Sequence, residues 1–205
     1  MALDSYTNLK AAILNFTPRK DVANLLDDFI DLTETDIYTG INGNPGLRIR
    51  DMETSAGITV TGRTGTIPTA FVEARSVIHV QGGKSKRIFS VAPQSQKITS
   101  GAGVPSNFAI RDGVEFDRTP NGTVTLEYYA SEADLSTATA ANAVLTRFPN
   151  IYLFGALAHL FGQGEDAEEE GKWRSKFESA ILGANNQDRS GRYLAPAGKS
   201  RGSTP

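Results

Sequence analysis

Val114-Glu115-Phe116 and Val124-Thr125-Leu126-Glu127-Tyr128-Tyr129-Ala130, parted by Asp117-Arg118-Thr119-Pro120-Asn121-Gly122-Thr123, alternate apolar and polar residues with a period close to two. Side chains of a strand point to opposite faces in turn, so this spacing predicts strands. Asn121-Gly122 between them is a hairpin signal, because both central residues of a type I′ turn need positive φ. Toward the N-terminus the same texture recurs in Ile58–Thr61, Phe71–Val80, Arg87–Val91 and Phe108–Ile110, each bounded by Gly, Pro, Asn or Asp. Six short runs between Leu47 and Ala130 predict a small antiparallel β-domain. Closure into a barrel is left open.

On both sides the period lengthens to that of a helix. Ser5 is a cap for a helix to about Phe16 with Leu9, Ile13 and Phe16 on one face. Thr17-Pro18 starts a second, to about Tyr38. Its stripe is Val22, Leu25, Leu26, Phe29, Ile30 and Ile37, opposite Asp27, Asp28, Asp31 and Glu34. Gly40–Gly46 is turn-forming. After Ser131, Asp134 or Ser136 caps a helix to about Arg147, with Ala138, Ala141, Val144 and Leu145 inward. Ile151–Phe161 is nearly all apolar and reads as a central bundle helix; Gly162-Gln163-Gly164 stops it. The last helix opens in the acids Glu165–Glu170 and carries Trp173, Phe177, Ala180, Ile181 and Ala184 to an end near Asn185. Leu153, Leu157, Phe161, Trp173, Phe177 and Ile181 are expected to pack as a hairpin against Phe29 and Ile30. The fold class expected is α+β: a helical bundle from residues 1–46 and 131–186, a β-rich insertion over 47–130, and an extended C-terminal arm over 187–205.

Composition narrows the function. The chain has 205 residues, 39% hydrophobic and 21% charged, enough for a core without metal or disulfide. Zero Cys excludes a disulfide framework, a thiolate metal site and a Cys nucleophile. No apolar run approaches the ~20 residues of a membrane span, and Met1–Lys10 lacks the features of a signal peptide, so a cytoplasmic start is expected. The net charge of -2 is segmented: residues 1–46 carry three cations against seven anions, 47–100 eight against three, 101–188 six against thirteen, and 189–205 four against none. Alternating blocks suit contacts between protein surfaces.

Catalytic signatures fail on spacing. Gly82-Gly83-Lys84-Ser85 would need another Gly at position 78 to be a phosphate-binding loop, and Ile78 stands there, so it reads as a glycine turn. His79 and His159 have no metal-ligand neighbours in sequence and read as hydrogen-bonded structural residues. Glu165–Glu170 is a solvated helix start rather than a carboxylate pair. Asn121-Gly122-Thr123 matches a glycosylation sequon but reads as the turn. No catalytic, cofactor-binding or metal residue is assigned. Lys84, Lys86 and Arg87 form the candidate partner-facing basic patch. The arm from Arg189 has no periodicity, and its candidate docking residues are Arg189, Arg192, Tyr193, Leu194, Lys199 and Arg201.

Several strings resemble one family: Tyr6-Thr-Asn-Leu9-Lys-Ala-Ala-Ile13, Arg19-Lys-Asp21, Asp28-Phe29-Ile30-Asp-Leu-Thr-Glu34, Leu47-Arg48-Ile-Arg50-Asp-Met52-Glu53, Ile67-Pro68-Thr-Ala-Phe71, and Leu145-Thr-Arg147-Phe148-Pro149-Asn-Ile-Tyr152-Leu153-Phe-Gly155-Ala156-Leu157, followed by Trp173. In order and spacing they are similar to the adaptor, or head-to-tail connector, proteins of short-tailed bacteriophages. The longer Gly40–Gly46 joint and the Gly162–Gly164 link depart from that pattern. The resemblance implies a non-enzymatic virion ring of twelve copies, assembled in the host cytoplasm. It would bind the portal protein, identical subunits and tail or nozzle proteins, with double-stranded DNA passing through and no membrane partner or cofactor. The alternatives are a virion enzyme such as a cell-wall hydrolase and a free-standing nucleic-acid binder.

Overall fold

The computed structural model describes residues 3–17, 21–164 and 166–193, with side chains described as far as Gly191. The chain divides into two compact units: Met1–Asp51 with Ala133–Pro205, and Met52–Glu132. The fold class is α+β: helices in the N- and C-terminal segments and, between them in sequence, a curled, mainly antiparallel sheet.

In the helical unit α1 (Tyr6–Phe16) starts at Ser5, whose Oγ accepts the Asn8 N–H at 3.3 Å, and buries Leu9 and Ile13. Phe16 is half exposed and lies edge-on to Trp173, centroids 5.5 Å apart. A 3-10 turn over Asp21–Leu25 leads into α2 (Leu26–Thr39). Val22 of the turn and Leu26, Phe29, Ile30 and Ile37 of α2 are buried as expected, Leu25 is only half buried, and Glu34 is buried with the stripe. Helix α3 is a single turn, Ala143–Arg147, rather than a helix from residue 134 or 136. Asn142 is the effective cap: its side chain accepts the Leu145 N–H at 2.8 Å. Residues 131–142 are non-helical because their backbone groups bond elsewhere, Leu135 N–H to Glu34 and Ala140 C=O to Tyr6 N–H.

Pro149 opens α4 (Pro149–Gln163), which packs against α2 and α5 (Ala167–Tyr193). Ile151, Tyr152, Leu153, Ala156, Leu157 and Leu160 are buried, as are Trp173, Phe177, Ile181 and Ala184 of α5; Phe161 is only half buried. Helix α5 continues eight residues past the expected end near Asn185. Asn185 does not break it, because its side chain is taken up by Arg48 N–H (2.7 Å) and Gly46 C=O (3.2 Å) instead of competing for its own backbone.

The β-unit contains β1 (Glu53–Gly57), β2 (Val60–Thr61), β3 (Thr64–Gly65), β4 (Phe71–Gln81), β5 (Lys84–Ser90), β6 (Ala102–Gly103), β7 (Asn107–Ile110), β8 (Val114–Phe116), β9 (Thr119–Pro120) and β10 (Thr123–Ala130). Eight form one sheet in the order β1-β10-β4-β5-β7-β8-β3-β2, and β6 pairs with β9. The β5–β7 and β6–β9 pairs are parallel, the others antiparallel. Val77, Ile88, Phe108, Val114, Phe116, Val124 and Leu126 make its core. Gly82 and Gly83, φ 54° and 76°, form the β4–β5 turn.

Asn121-Gly122 does not join a hairpin. β8 pairs with β7 and β3, whereas β10 pairs with β1 and β4. Between them Thr119-Pro120 leaves to pair with Ala102-Gly103. Gly122 (φ 149°) serves a close approach: a Cβ there would sit 2.2 Å from the Val80 carbonyl oxygen.

Candidate functional site

The sequence-predicted basic patch lies on β5, and strand alternation splits it. Lys84 and Lys86 share the face of buried Ile88, while Arg87 shares the opposite face with Phe89, which is 64% exposed. Lys86 stands opposite His79 in the β4–β5 ladder and donates to the Pro105 carbonyl at 3.1 Å. Arg87 pairs with Glu127 at 3.0 Å. Arg75 pairs with Glu53 at 2.6 Å and lies over the Tyr129 ring. Arg75, Lys86 and Arg87 are therefore already engaged by groups of the same chain, whereas Lys84 is exposed.

Of the candidate docking residues, Arg189 is exposed on the last turns of α5. Arg192 and Tyr193 continue that helix, and Leu194, Lys199 and Arg201 lie outside the described residues.

Two polar networks are built into the helical unit. Glu34 Oε1 accepts from Leu135 N–H and from the Tyr152 hydroxyl, each at 2.9 Å, and Asn142 Nδ2 donates to the same hydroxyl at 2.8 Å. Burial, with Asp134 and Asp31 nearby, pushes the Glu34 carboxyl up to about 7 despite these donors. Glu34 was expected on the solvated face; its spacing from Ile30 and Ile37 is the signal that places it inward. The second network joins His159 Nε2 to Asp36 at 2.9 Å, with Arg174 between Asp36 (3.8 Å) and Glu170 (3.1 Å). Burial holds His159 below its ordinary value, against the pull of Asp36. His159 is thus the hydrogen-bonded residue expected. His79 differs, because its Nε2 is buried without a hydrogen-bond partner.

Among the described residues no three His, Asp or Glu side chains are grouped to hold a metal ion. No described helix is long and apolar enough to cross a membrane. The acids opening α5 serve local contacts: Glu169 accepts from Lys172 at 2.8 Å and from the Trp173 indole at 3.0 Å, which holds its carboxyl below the usual range.

The sequence did not single out a groove of about 170 Å³ between residues 41–45 and α5. Ile41, Pro45, Ile181 and Leu182 give it an apolar wall, and Asn44, Glu178 and Asn185 a polar one. Leu182 is 59% exposed. It lies one position off the Trp173-Phe177-Ile181-Ala184 stripe, and that offset is the one trace of the groove in the sequence. The Asn42 and Asn44 side chains donate to the two Glu178 oxygens at 2.8 and 3.3 Å, which fastens the Gly40–Gly46 joint to α5.

A search of curated proteins matched nothing. The family model described as SU10 adaptor protein matches residues 4–200, nearly the whole chain and both of its units. The chain therefore belongs to the SU10 adaptor protein family, structural adaptors of the short-tailed phage type.

Proposed function

We propose that identical copies of this chain form a ring of about twelve subunits in the virion neck. The ring joins the portal protein to the tail or nozzle proteins, and double-stranded DNA passes through it; it acts by docking rather than by catalysis. The family match over residues 4–200 carries this reading. Charge placement supports it. A channel that gripped phosphates would brake DNA, since each neutralised phosphate adds counterion-release affinity. At -2 per copy the ring is acidic overall, and Arg75 and Arg87 are already paired with Glu53 and Glu127. The basic residues that remain open, Lys84 among them, face protein partners, as does the segment from Arg189 through Arg192, Tyr193, Leu194 and Lys199 to Arg201.

The opposed faces of β5 make this testable. Lys84→Ser with Lys86→Ser is expected to lower tail attachment severalfold, with normal DNA release from the particles that form. Arg87→Ser, which breaks an exposed pair worth at most about 1 kcal/mol, is the control. Normal assembly with altered DNA release in the Lys84/Lys86 variant places these charges in the channel and contradicts the proposal.

A further inference from the structure

We infer that the groove between residues 41–45 and α5 receives Leu194-Ala195-Pro196-Ala197 of a second copy, each subunit giving this segment to one neighbour and accepting it from the other. The inference deepens the ring reading above and rests on it.

The receptor is preformed. Gly40, at φ 81°, turns the chain out of α2 where a Cβ would meet the Asn44 carbonyl oxygen at 2.2 Å. Ile41 and Asn44 then exchange backbone hydrogen bonds of 3.2 and 2.8 Å. With Asn42 and Asn44 fastened to Glu178, and Asn185 bridging Arg48 N–H and the Gly46 carbonyl, both walls are held and little ordering cost falls on binding. A cavity of about 170 Å³ has room for aliphatic side chains of an extended segment and not for a helix, which is ~10 Å across.

The occupant is chosen by chemistry and by reach. Leu194-Ala-Pro196-Ala is apolar, and its proline restricts the free chain, so docking costs less entropy. Lys199 and Arg201 follow, and residues 189–205 contain no acid. Glu178 on the groove wall is held by two neutral amides, which leaves its negative charge uncompensated and suited to such a segment. Reach parts Leu194 from Leu182 of its own chain. At 1.5 Å rise per residue, Leu182 lies about 16 Å before Tyr193 along α5, and even Asn185 lies about 12 Å before it. Leu194 stays within about 3.8 Å of Tyr193, and Pro196 within about 11 Å even if fully extended. Leu194 therefore meets Leu182 only on another molecule. A give-and-take contact of this kind is heterologous, the type that closes into a ring.

The chain has no Cys, so the double variant Leu182→Cys, Leu194→Cys introduces the two thiols alone. In oxidised virus particles a disulfide between positions 182 and 194 of different copies is expected, seen as a ladder on non-reducing gels and as the linked peptide by mass spectrometry. A bond within one chain, no bond, or an equal yield from Phe16→Cys with Leu194→Cys overturns the inference. A link from position 194 to the portal alone also overturns it. The ladder separates this inference from the ring reading. Linked pairs that never exceed a dimer contradict the ring but not the groove, whereas unlinked rings contradict the groove alone. As a second measurement on soluble protein, a labelled peptide of residues 189–201 is expected to bind the full chain at least tenfold more tightly than its Leu182→Asp variant. Equal binding is the contrary result.

Discussion

Trp173→Ala is expected to destabilise the helical unit by about 3–5 kcal/mol, the range for removing a large buried aromatic side chain. Trp173 is 6% exposed. Its ring lies between Phe16 of α1, edge-on at 5.5 Å, and Phe154 of α4 at 5.8 Å, with the Lys176 ammonium 4.1 Å from the ring centroid on the same helix. One truncation thus removes contacts that tie three helices together and leaves a cavity that helices α4 and α5 cannot close without shifting. The Nε1–H bond to Glu169 is a smaller part of the loss, because that carboxylate is exposed to water and keeps Lys172. Chemical denaturation followed by far-ultraviolet circular dichroism measures the change; a loss below about 1 kcal/mol contradicts this packing.

Raising the pH from about 4.5 to 7 is expected to weaken the helical unit by about 2 kcal/mol through Glu34 alone, after allowance for residual solvent screening. In the folded protein its carboxyl is raised to about 7 from the ordinary 4.5, chiefly by burial. The folded state therefore favours the protonated acid. That stability is fully present below the unfolded value and is lost as the pH climbs through the folded one. His159 acts in the opposite direction near its own titration, since burial favours its neutral form and stability falls as pH drops through it. The difference between the wild type and Glu34→Gln isolates the carboxyl. Parallel stability–pH curves for the two proteins contradict the placement of Glu34.

Helix positions and the α+β order were legible because they rest on local periodicity: Ser5 caps α1, Pro149 starts α4, and Trp173, Phe177 and Ile181 turn inward. Strand runs were legible for the same reason, but their partners were not. Asn121-Gly122 carries the local signature of a hairpin, yet pairing is decided by distant segments: β10 is claimed by β1 and β4, and β9 by β6. Residues 131–142 show the same limit, because the acceptor that holds Leu135 N–H is Glu34, a hundred positions earlier. The basic patch was legible as composition only. Its division between two faces depends on the register of β5, in which Ile88 and not Arg87 meets the core.

The central claim is that the chain is a structural ring that docks on a portal, and the mass of that complex tests it most directly. Purified protein mixed with its purified portal is expected, by native mass spectrometry, to give one species carrying about twelve copies of the chain on the portal ring. Substoichiometric binding of one or two copies, or no complex at all, contradicts the claim.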